Sequence, residues 1–133
     1  MKDKLIIGRK EIADLPSFQL YNKIMKIDTG AYTSSIDVVS SVLKDNVLHV
    51  QFVEDGPIVT FYTFKMKRIK SSKGVVQERF VIDGVIEIGG QQIQTPFSLT
   101  DRSGMKYPIL LGRKFLNKRF LVDTSKVNLL KTT

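Results

Sequence analysis

The sequence predicts an all-β protein, a sandwich or barrel, with one short helix near the C-terminus. Short runs of β-branched and aromatic residues alternate with polar residues along most of the chain. Turn signals such as Asp55-Gly56-Pro57 separate these runs at regular spacing, which is the pattern of many short strands. A helical pattern is confined to residues 113–118. With 133 residues and no linker or low-complexity segment, we expect a single domain spanning 1–133.

The first half of the chain is predicted to be entirely strands and turns. Residues 5–12 begin as an apolar strand and turn polar before Leu15-Pro16. Residues 18–27 alternate and lead directly into Asp28. Residues 32–39 are again β-prone, residues 42–53 include a strand around His49, and residues 58–64 follow the Asp55-Gly56-Pro57 turn.

The second half begins with a predicted long hairpin. A basic strand, residues 65–70, and a second strand, residues 75–82, flank a small turn at Ser71-Ser72-Lys73-Gly74. Asp83-Gly84 and Gly89-Gly90 are predicted to separate two further strands, 85–88 and 92–99. A strand over 109–111 ends at Gly112, the helix follows, the strand resumes over 120–122, and residues 127–130 close the chain.

Charge and composition restrict the possible chemistry. Twenty-one Lys and Arg against 13 Asp and Glu give a net charge of +8, which favours an acidic partner. The basic run at residues 65–70 is equally consistent with a solvated strand face. One His and no Cys supply neither a zinc site nor a Ser-His-Asp or Cys-His mechanism, so an enzyme would use carboxylates and we expect no cofactor. No apolar run approaches a membrane span and no signal peptide is evident, so the expected location is the cytoplasm.

The segment Ile24-Met25-Lys26-Ile27-Asp28-Thr29-Gly30-Ala31 is the strongest candidate site. Strand propensity ends at Asp28, and Gly30 allows a sharp turn, so one carboxylate lies at the mouth of a tight loop beside a hydroxyl. Taken alone, this is also the pattern of an ordinary turn between strands. Two later features change its interpretation: the long hairpin, and Ile109-Leu110-Leu111-Gly112-Arg113 leading into the short helix.

In this order, the three features resemble the retropepsin-like aspartic proteases. A closer resemblance is to the bacterial group labelled ATP-dependent zinc proteases, carried by residues 27–35, 71–74, 99–105 and 110–113. Tyr32 stands where that group usually has Arg, and Asp37 where it usually has His. The zinc and ATP of the label find no support, because the chain lacks HExxH, Cys and a phosphate-binding Gly-Lys loop.

The resemblance implies a closed barrel with a flap hairpin, and it assigns roles to particular residues. It implies catalytic roles for Asp28, Thr29 and Gly30, and structural roles for Gly112 and Arg113. Substrate-binding residues would be Ala31, Ser72, Lys73, Gly74, Asp101 and Arg102. Aspartic proteolysis needs two carboxylates, so the single Asp-Thr-Gly loop implies a homodimer. Asp123-Thr124 looks like a second such loop, but too few residues follow it, and a turn is the better interpretation.

The sequence therefore favours an aspartic endopeptidase acting as a homodimer on peptides, with acidic, Glu-rich peptides favoured by Lys73, Arg102 and the net charge. For Arg102, a salt bridge within its own loop is an equally good interpretation. The alternative function is a non-catalytic basic β-domain that binds acidic peptide or nucleic acid. Nucleic acid is the weaker partner, since no RNP motif, helix-turn-helix or zinc finger is present. A third possibility is a protease fold without activity.

Overall fold

The computed structural model describes residues 3–70, 74–100 and 106–130. Its strands are β1 (Leu5–Gly8), β2 (Lys10–Leu15), β3 (Leu20–Ile27), β4 (Ser34–Asp37), β5 (Ser40–Lys44), β6 (Val47–Gln51), β7 (Ile58–Phe61), β8 (Lys65–Lys70), β9 (Val76–Ile88), β10 (Gln91–Thr100), β11 (Ile109–Leu111) and β12 (Phe120–Asp123). A 3-10 turn (Pro16–Phe18) follows β2, and helix α1 (Arg113–Leu116) follows β11. Within the described residues, neither helix has the length and apolar content that a membrane span requires.

Six of the strands form a closed barrel. They are hydrogen-bonded in the order β10, β4, β11, β3, β2, β9, and β9 pairs again with β10. Strand β8 extends from β9 as an antiparallel hairpin, with a register from Lys65↔Val81 to Lys70↔Val76. Strands β1 and β12 form a small parallel sheet, and β5, β6 and β7 form a third sheet. The expected closed all-β barrel with a long hairpin and one short helix is confirmed.

Phe18 connects the barrel to the β5–β6–β7 sheet. The Phe18 ring stacks on the Phe52 ring at 4.7 Å between centroids and meets the Phe97 ring edge-on at 5.7 Å. All three side chains are buried in one continuous core. Aromatic pairs at these distances contribute beyond their buried area, so this cluster packs the two sheets against each other.

The predicted turn at Asp83-Gly84 is wrong, because β9 runs through it as one strand of 13 residues. A Cβ atom on Gly84 would lie 2.6 Å from Cζ of Phe18 and 3.2 Å from a ring carbon of Phe97. Glycine is therefore needed here for close packing and not for a turn. The turn at Gly89-Gly90 is confirmed, with φ values of 56° and 78°.

The C-terminal part differs from the prediction in the length of its helix. Helix α1 ends at Leu116, where a longer helix to residue 118 was expected. Residues 127–130 are not a strand. The buried carboxylate of Glu11 holds them instead, accepting the N–H groups of Leu129 at 3.0 Å and Leu130 at 2.9 Å as well as that of Gly8 at 2.8 Å. The Glu11 side chain therefore supplies the hydrogen bonds that a neighbouring strand would otherwise provide to this segment.

Replacing Glu11 with Ala should destabilise the protein by about 3 kcal/mol, because three backbone N–H groups lose a charged acceptor. Glu11→Gln retains one carbonyl oxygen and should lose less. Urea unfolding measures both values. The exposed Glu54 provides the matched control, and Glu54→Ala should change stability by no more than about 0.5 kcal/mol. Equal stability of the Ala variants at positions 11 and 54 would contradict the role given to Glu11.

Candidate active site

Asp28 is half-buried at the start of loop 28–33, which joins β3 to β4. Strand β11 lies between these two strands, parallel to β3 and antiparallel to β4. The N–H of Asp28 donates to the carbonyl of Leu111 at 2.8 Å, which extends the β3–β11 pairing by one residue. The carboxylate is thus positioned by the central strands of the barrel and not by a free loop.

The loop itself orients the Asp28 carboxylate. Oδ1 accepts the N–H of Gly30 at 3.0 Å, and the N–H of Ala31 reaches the Asp28 carbonyl at 3.3 Å. Thr29 and Gly30 are exposed. A Cβ atom on Gly30 would lie 3.3 Å from Oδ1, close enough to crowd the carboxylate. The result is a carboxylate of fixed orientation with exposed backbone beside it.

The loop is fastened to the segment that follows β11. Arg113 and Lys114 donate their N–H groups to the carbonyls of Ala31 and Tyr32, at 2.8 and 2.9 Å. The Arg113 guanidinium also donates to the Thr29 carbonyl at 2.9 Å. Three carbonyls of the Asp28 loop therefore find donors in the first two residues of α1. The resemblance gave Arg113 a structural role, and these contacts are consistent with it.

Gly112 lies where the two segments cross. A Cβ atom there would lie 2.8 Å from the carbonyl oxygen of Ala31 and 3.0 Å from that of Tyr32, so a side chain would push the loop away. The N–H of Gly112 donates to Oγ of the buried Ser34 at 3.0 Å. The sequence did not single out Ser34, because a Ser in a β-prone run carries no distinguishing pattern.

The two positions that depart from the bacterial group each have partners in this chain. The exposed ring of Tyr32 lies near the Arg113 guanidinium, at 5.7 Å, and the Lys114 ammonium, at 5.5 Å. Asp37 accepts a hydrogen bond from the Thr100 hydroxyl, and its N–H donates to the Pro108 carbonyl at 2.8 Å. Positive charge thus remains beside the loop at position 32, supplied by α1.

A cleft of about 210 Å³ lies between the β8–β9 hairpin and α1. Lys65 and Lys67 line it from the hairpin, and Lys114 lines it from the helix. Asp83 is the carboxylate in the lining, which also includes Thr63, Phe64, Val81 and Pro96. The sequence did not decide whether the basic strand is a solvated face or faces an acidic partner. In the structure, two of its lysines, Lys65 and Lys67, line a cleft. Lys114 was missed, because sequence spacing does not bring it to the hairpin.

A second group of cations surrounds Tyr107. The ammonium groups of Lys10, Lys26 and Lys106 lie 5.3, 5.7 and 5.5 Å from the centre of its ring. Lys10 also donates to the phenol oxygen at 3.2 Å. This hydrogen bond, with the positive charges of Lys10 and Lys106, holds the pKa of Tyr107 below its ordinary value. None of these residues was a candidate from the sequence, since they lie up to 97 positions apart.

Several predicted site residues are not part of the contacts described above. Ser72, Lys73, Asp101 and Arg102 lie outside the described residues. Gly74 is exposed with φ of 81°, at the described end of the hairpin turn.

Asp123 forms a local turn. Its carboxylate accepts the hydroxyl of Ser125 at 2.6 Å and the N–H of Ser125 at 3.0 Å. These bonds hold its pKa below the usual range. The interpretation of Asp123 as a turn residue agrees with these contacts.

The part of the chain that the structure describes offers no zinc site. Within residues 3–70, 74–100 and 106–130, no group of three or more His, Cys, Asp or Glu side chains is placed to hold a metal ion. The Asp28 carboxylate is half-buried and accepts the N–H of Gly30.

The closed barrel, the Asp-Thr-Gly loop and the Gly-Arg segment that fastens it define a retropepsin-like protein. The sequence model of the family described as RimB-like, "Retropepsin-like aspartic endopeptidase RimB", matches residues 6–132. The chain belongs to this family.

Curated relatives are similar over the same region. "Probable alpha-L-glutamate ligase" of Shewanella halifaxensis is 33% identical over 135 residues, which cover 93% of this chain and 29% of the relative. A protein of the same name from Parasynechococcus marenigrum is 28% identical over 92% of this chain and 28% of its own length. The chain therefore spans less than a third of these relatives.

A solved structure is similar in fold. A Legionella pneumophila protein of unknown function superimposes with a TM-score of 0.65 and 22% identity, covering 97% of this chain and 100% of that chain. At this identity, the likeness concerns the fold alone.

Removing the hydroxyl of Ser34 should loosen the crossing at Gly112. Ser34→Ala leaves the Gly112 N–H buried without its acceptor, and a loss of roughly 1–3 kcal/mol in unfolding free energy is expected. Ser35→Ala, at the neighbouring and less buried position, is the matched control and should be near neutral. Thermal or urea unfolding measures both. If the two variants are equally stable, the hydrogen bond does not support the loop.

Proposed function

We propose that the chain is an aspartic-type endopeptidase that acts as a homodimer, with one Asp28 carboxylate from each subunit. The observation that carries this proposal is the Asp28 carboxylate, held by the N–H of Gly30 in a loop that is fastened to β11 and Arg113. Membership of a family described as an aspartic endopeptidase supports it.

In this mechanism, the two carboxylates share one proton, because like charges at short distance do not both ionise. The ionised Asp28 takes a proton from a water molecule as the water oxygen bonds to the substrate carbonyl carbon. The protonated Asp28 donates its proton to the carbonyl oxygen, which gives a tetrahedral diol. Collapse of the diol breaks the C–N bond, and a proton passes to the leaving nitrogen. The exposed backbone at Gly30 lets the peptide approach.

Self-association is supported by exposed apolar side chains on the terminal sheet. Ile6 and Leu121 are neighbours in the register of β1 and β12, and they are 54% and 55% exposed. Adjacent apolar residues at such exposure are suited to a protein interface. In the proposed dimer, a twofold axis brings the two Asp28 loops face to face, and each loop supplies half of the site.

We further propose that the substrate is acidic. The lysines at positions 65, 67 and 114 line one cleft, and the net charge of +8 attracts anions over a longer range. The relatives carry the name alpha-L-glutamate ligase, which connects their own activity with glutamate. A peptide rich in glutamate is a substrate that suits both observations.

A binding module without catalysis is the second candidate. This chain corresponds to less than a third of the length of relatives that are named as ligases. A domain in that context could hold acidic peptides in the same lysine-lined cleft without cleaving them. The two candidates differ in whether Asp28 is needed for turnover.

Asp28→Asn should lower peptide cleavage by at least about a thousandfold, because Asn cannot accept the proton of water. Circular dichroism and unfolding should remain close to wild type, since the Asn oxygen can still accept the N–H of Gly30. Mass spectrometry of peptide-library digests provides the measurement.

The matched control for this experiment is Asp45→Asn, in the exposed turn between β5 and β6, which should retain full activity. Sedimentation at the assay concentration should show a dimer. Cleavage that persists in Asp28→Asn, or full activity of a strict monomer, would refute the proposed mechanism. Undiminished binding of acidic peptides with no cleavage by the wild type would favour the second candidate.

Acidic peptides should be cleaved faster than peptides of the same sequence with Gln in place of every Glu, by roughly tenfold at low salt. The advantage should shrink as salt is added, because ions screen exposed charges. Lys67→Met should reduce the preference, and Lys44→Met, at an exposed position on β5, should not. Equal rates on both peptide series at low salt would exclude an acidic substrate and leave the endopeptidase proposal intact.

A further inference from the structure

Lys10, Lys26, Lys106 and Tyr107 form a compact group, named here the Tyr107 cluster. Strand pairing brings the four together: Lys10 of β2 lies opposite Lys26 of β3, and Leu110 of β11 lies beside Lys26 on the other side. Lys106 and Tyr107 come directly before β11. Two members of the cluster are therefore fixed by the β2–β3 pairing, and the other two lie in the segment that leads into β11.

The cluster concentrates positive charge around an uncharged group. Three ammonium groups lie within 5.7 Å of the ring centre, and the contacts described for them are with Tyr107. Lys10 is attracted by its hydrogen bond to the phenol oxygen and the other lysines by the ring, but the three cations repel one another. The lowered pKa of Tyr107 reports the same positive potential at the phenol oxygen. A carboxylate beside this oxygen would receive donors from the lysines and from the phenol.

The position of Lys26 relates the cluster to Asp28. Strand β3 buries Met25 and Ile27, so Lys26 projects from the outer face. Asp28 is two residues further on and continues the same alternation, while its N–H extends the pairing with β11. Two residues of an extended strand span about 7 Å. The Cα atoms of Lys26 and Asp28 are thus about one substrate residue apart, and the alternation of β3 directs both side chains to the same face of the strand.

We propose that the Tyr107 cluster is the subsite that binds the side-chain carboxylate of an acidic substrate residue next to the bond cleaved at Asp28. This inference rests on the proposed function and adds the residues that select the substrate. Lys10 and Lys26 bind the carboxylate as ammonium donors, and Tyr107 orients it with its hydroxyl. The lysine-lined cleft between the hairpin and α1 accommodates acidic residues further along the same peptide.

The test uses peptides that carry a single Glu or a single Gln at the same place in an uncharged sequence. The wild type should cleave next to the Glu and prefer the Glu peptide. Lys26→Met and Tyr107→Phe should each lower kcat/KM for the Glu peptide by about tenfold, because each variant loses one charge-assisted hydrogen bond to the substrate. Most of this loss should appear as a higher KM. Their rates on the Gln peptide should stay unchanged, so the preference should collapse.

Lys23→Met is the matched control, because Lys23 lies on the same strand without a described contact to Tyr107. It should leave the Glu preference as in the wild type. A preference that survives both Lys26→Met and Tyr107→Phe would overturn the proposal. So would an equal loss on Glu and Gln peptides, which would indicate a structural role.

A binding experiment separates failure of this inference from failure of the proposed function. The Asp28→Asn chain should bind the Glu peptide more tightly than the Gln peptide by calorimetry, and adding Lys26→Met should remove the difference. This result with no cleavage by the wild type would refute the endopeptidase and support the subsite. Equal binding of both peptides, or inorganic phosphate binding more tightly than the Glu peptide, would overturn the subsite.

Discussion

The crossing of the Asp28 loop over Gly112 is the constraint on which the candidate site depends. Backbone carbonyls of the loop come within 2.8 Å of the place where a Cβ atom would stand, so only glycine allows the contact. Because the segments touch there, the next two residues can donate their N–H groups to the loop and Arg113 can reach Thr29. The Asp28 loop is therefore held rigidly by the barrel. The proposed mechanism needs this rigidity, because it requires a carboxylate and a water molecule in fixed positions.

The net charge of +8 has a clear spatial organisation. Some of the lysines line the cleft between the hairpin and α1, and three others lie around Tyr107, one of them on β3, the strand that leads to Asp28. Bringing like charges together is unfavourable unless an anion joins them. An acidic peptide would neutralise both groups while its backbone lies near Gly30. The charge distribution is therefore compatible with the acidic substrate that we propose.

Tyr32 and Asp37 alter the surroundings of the site without disturbing its frame. Tyr32 brings an aromatic ring between the loop and the cations of α1, so the positive charge beside the loop comes from Arg113 and Lys114. Asp37 is bonded to Thr100 and to the Pro108 carbonyl, which ties the end of β4 to the two strands on either side of it. The carbonyl of Tyr32 helps to hold the Asp28 loop, but the side chains of Tyr32 and Asp37 lie outside the contacts described for Asp28.

The sequence by itself determined the all-β class, the hairpin, the short helix and the Asp28 loop, because alternation, turn residues and a strand-to-glycine step are local signals. Only the tertiary structure decided features that depend on distant partners. Gly84 looked like a turn, but Phe18 and Phe97 pack against it within a continuous strand. Glu11 looked like an ordinary polar strand residue, but backbone groups 118 and 119 positions away converge on it. Strand register assembled the Tyr107 cluster, and register follows from the closure of the whole barrel and not from any short segment.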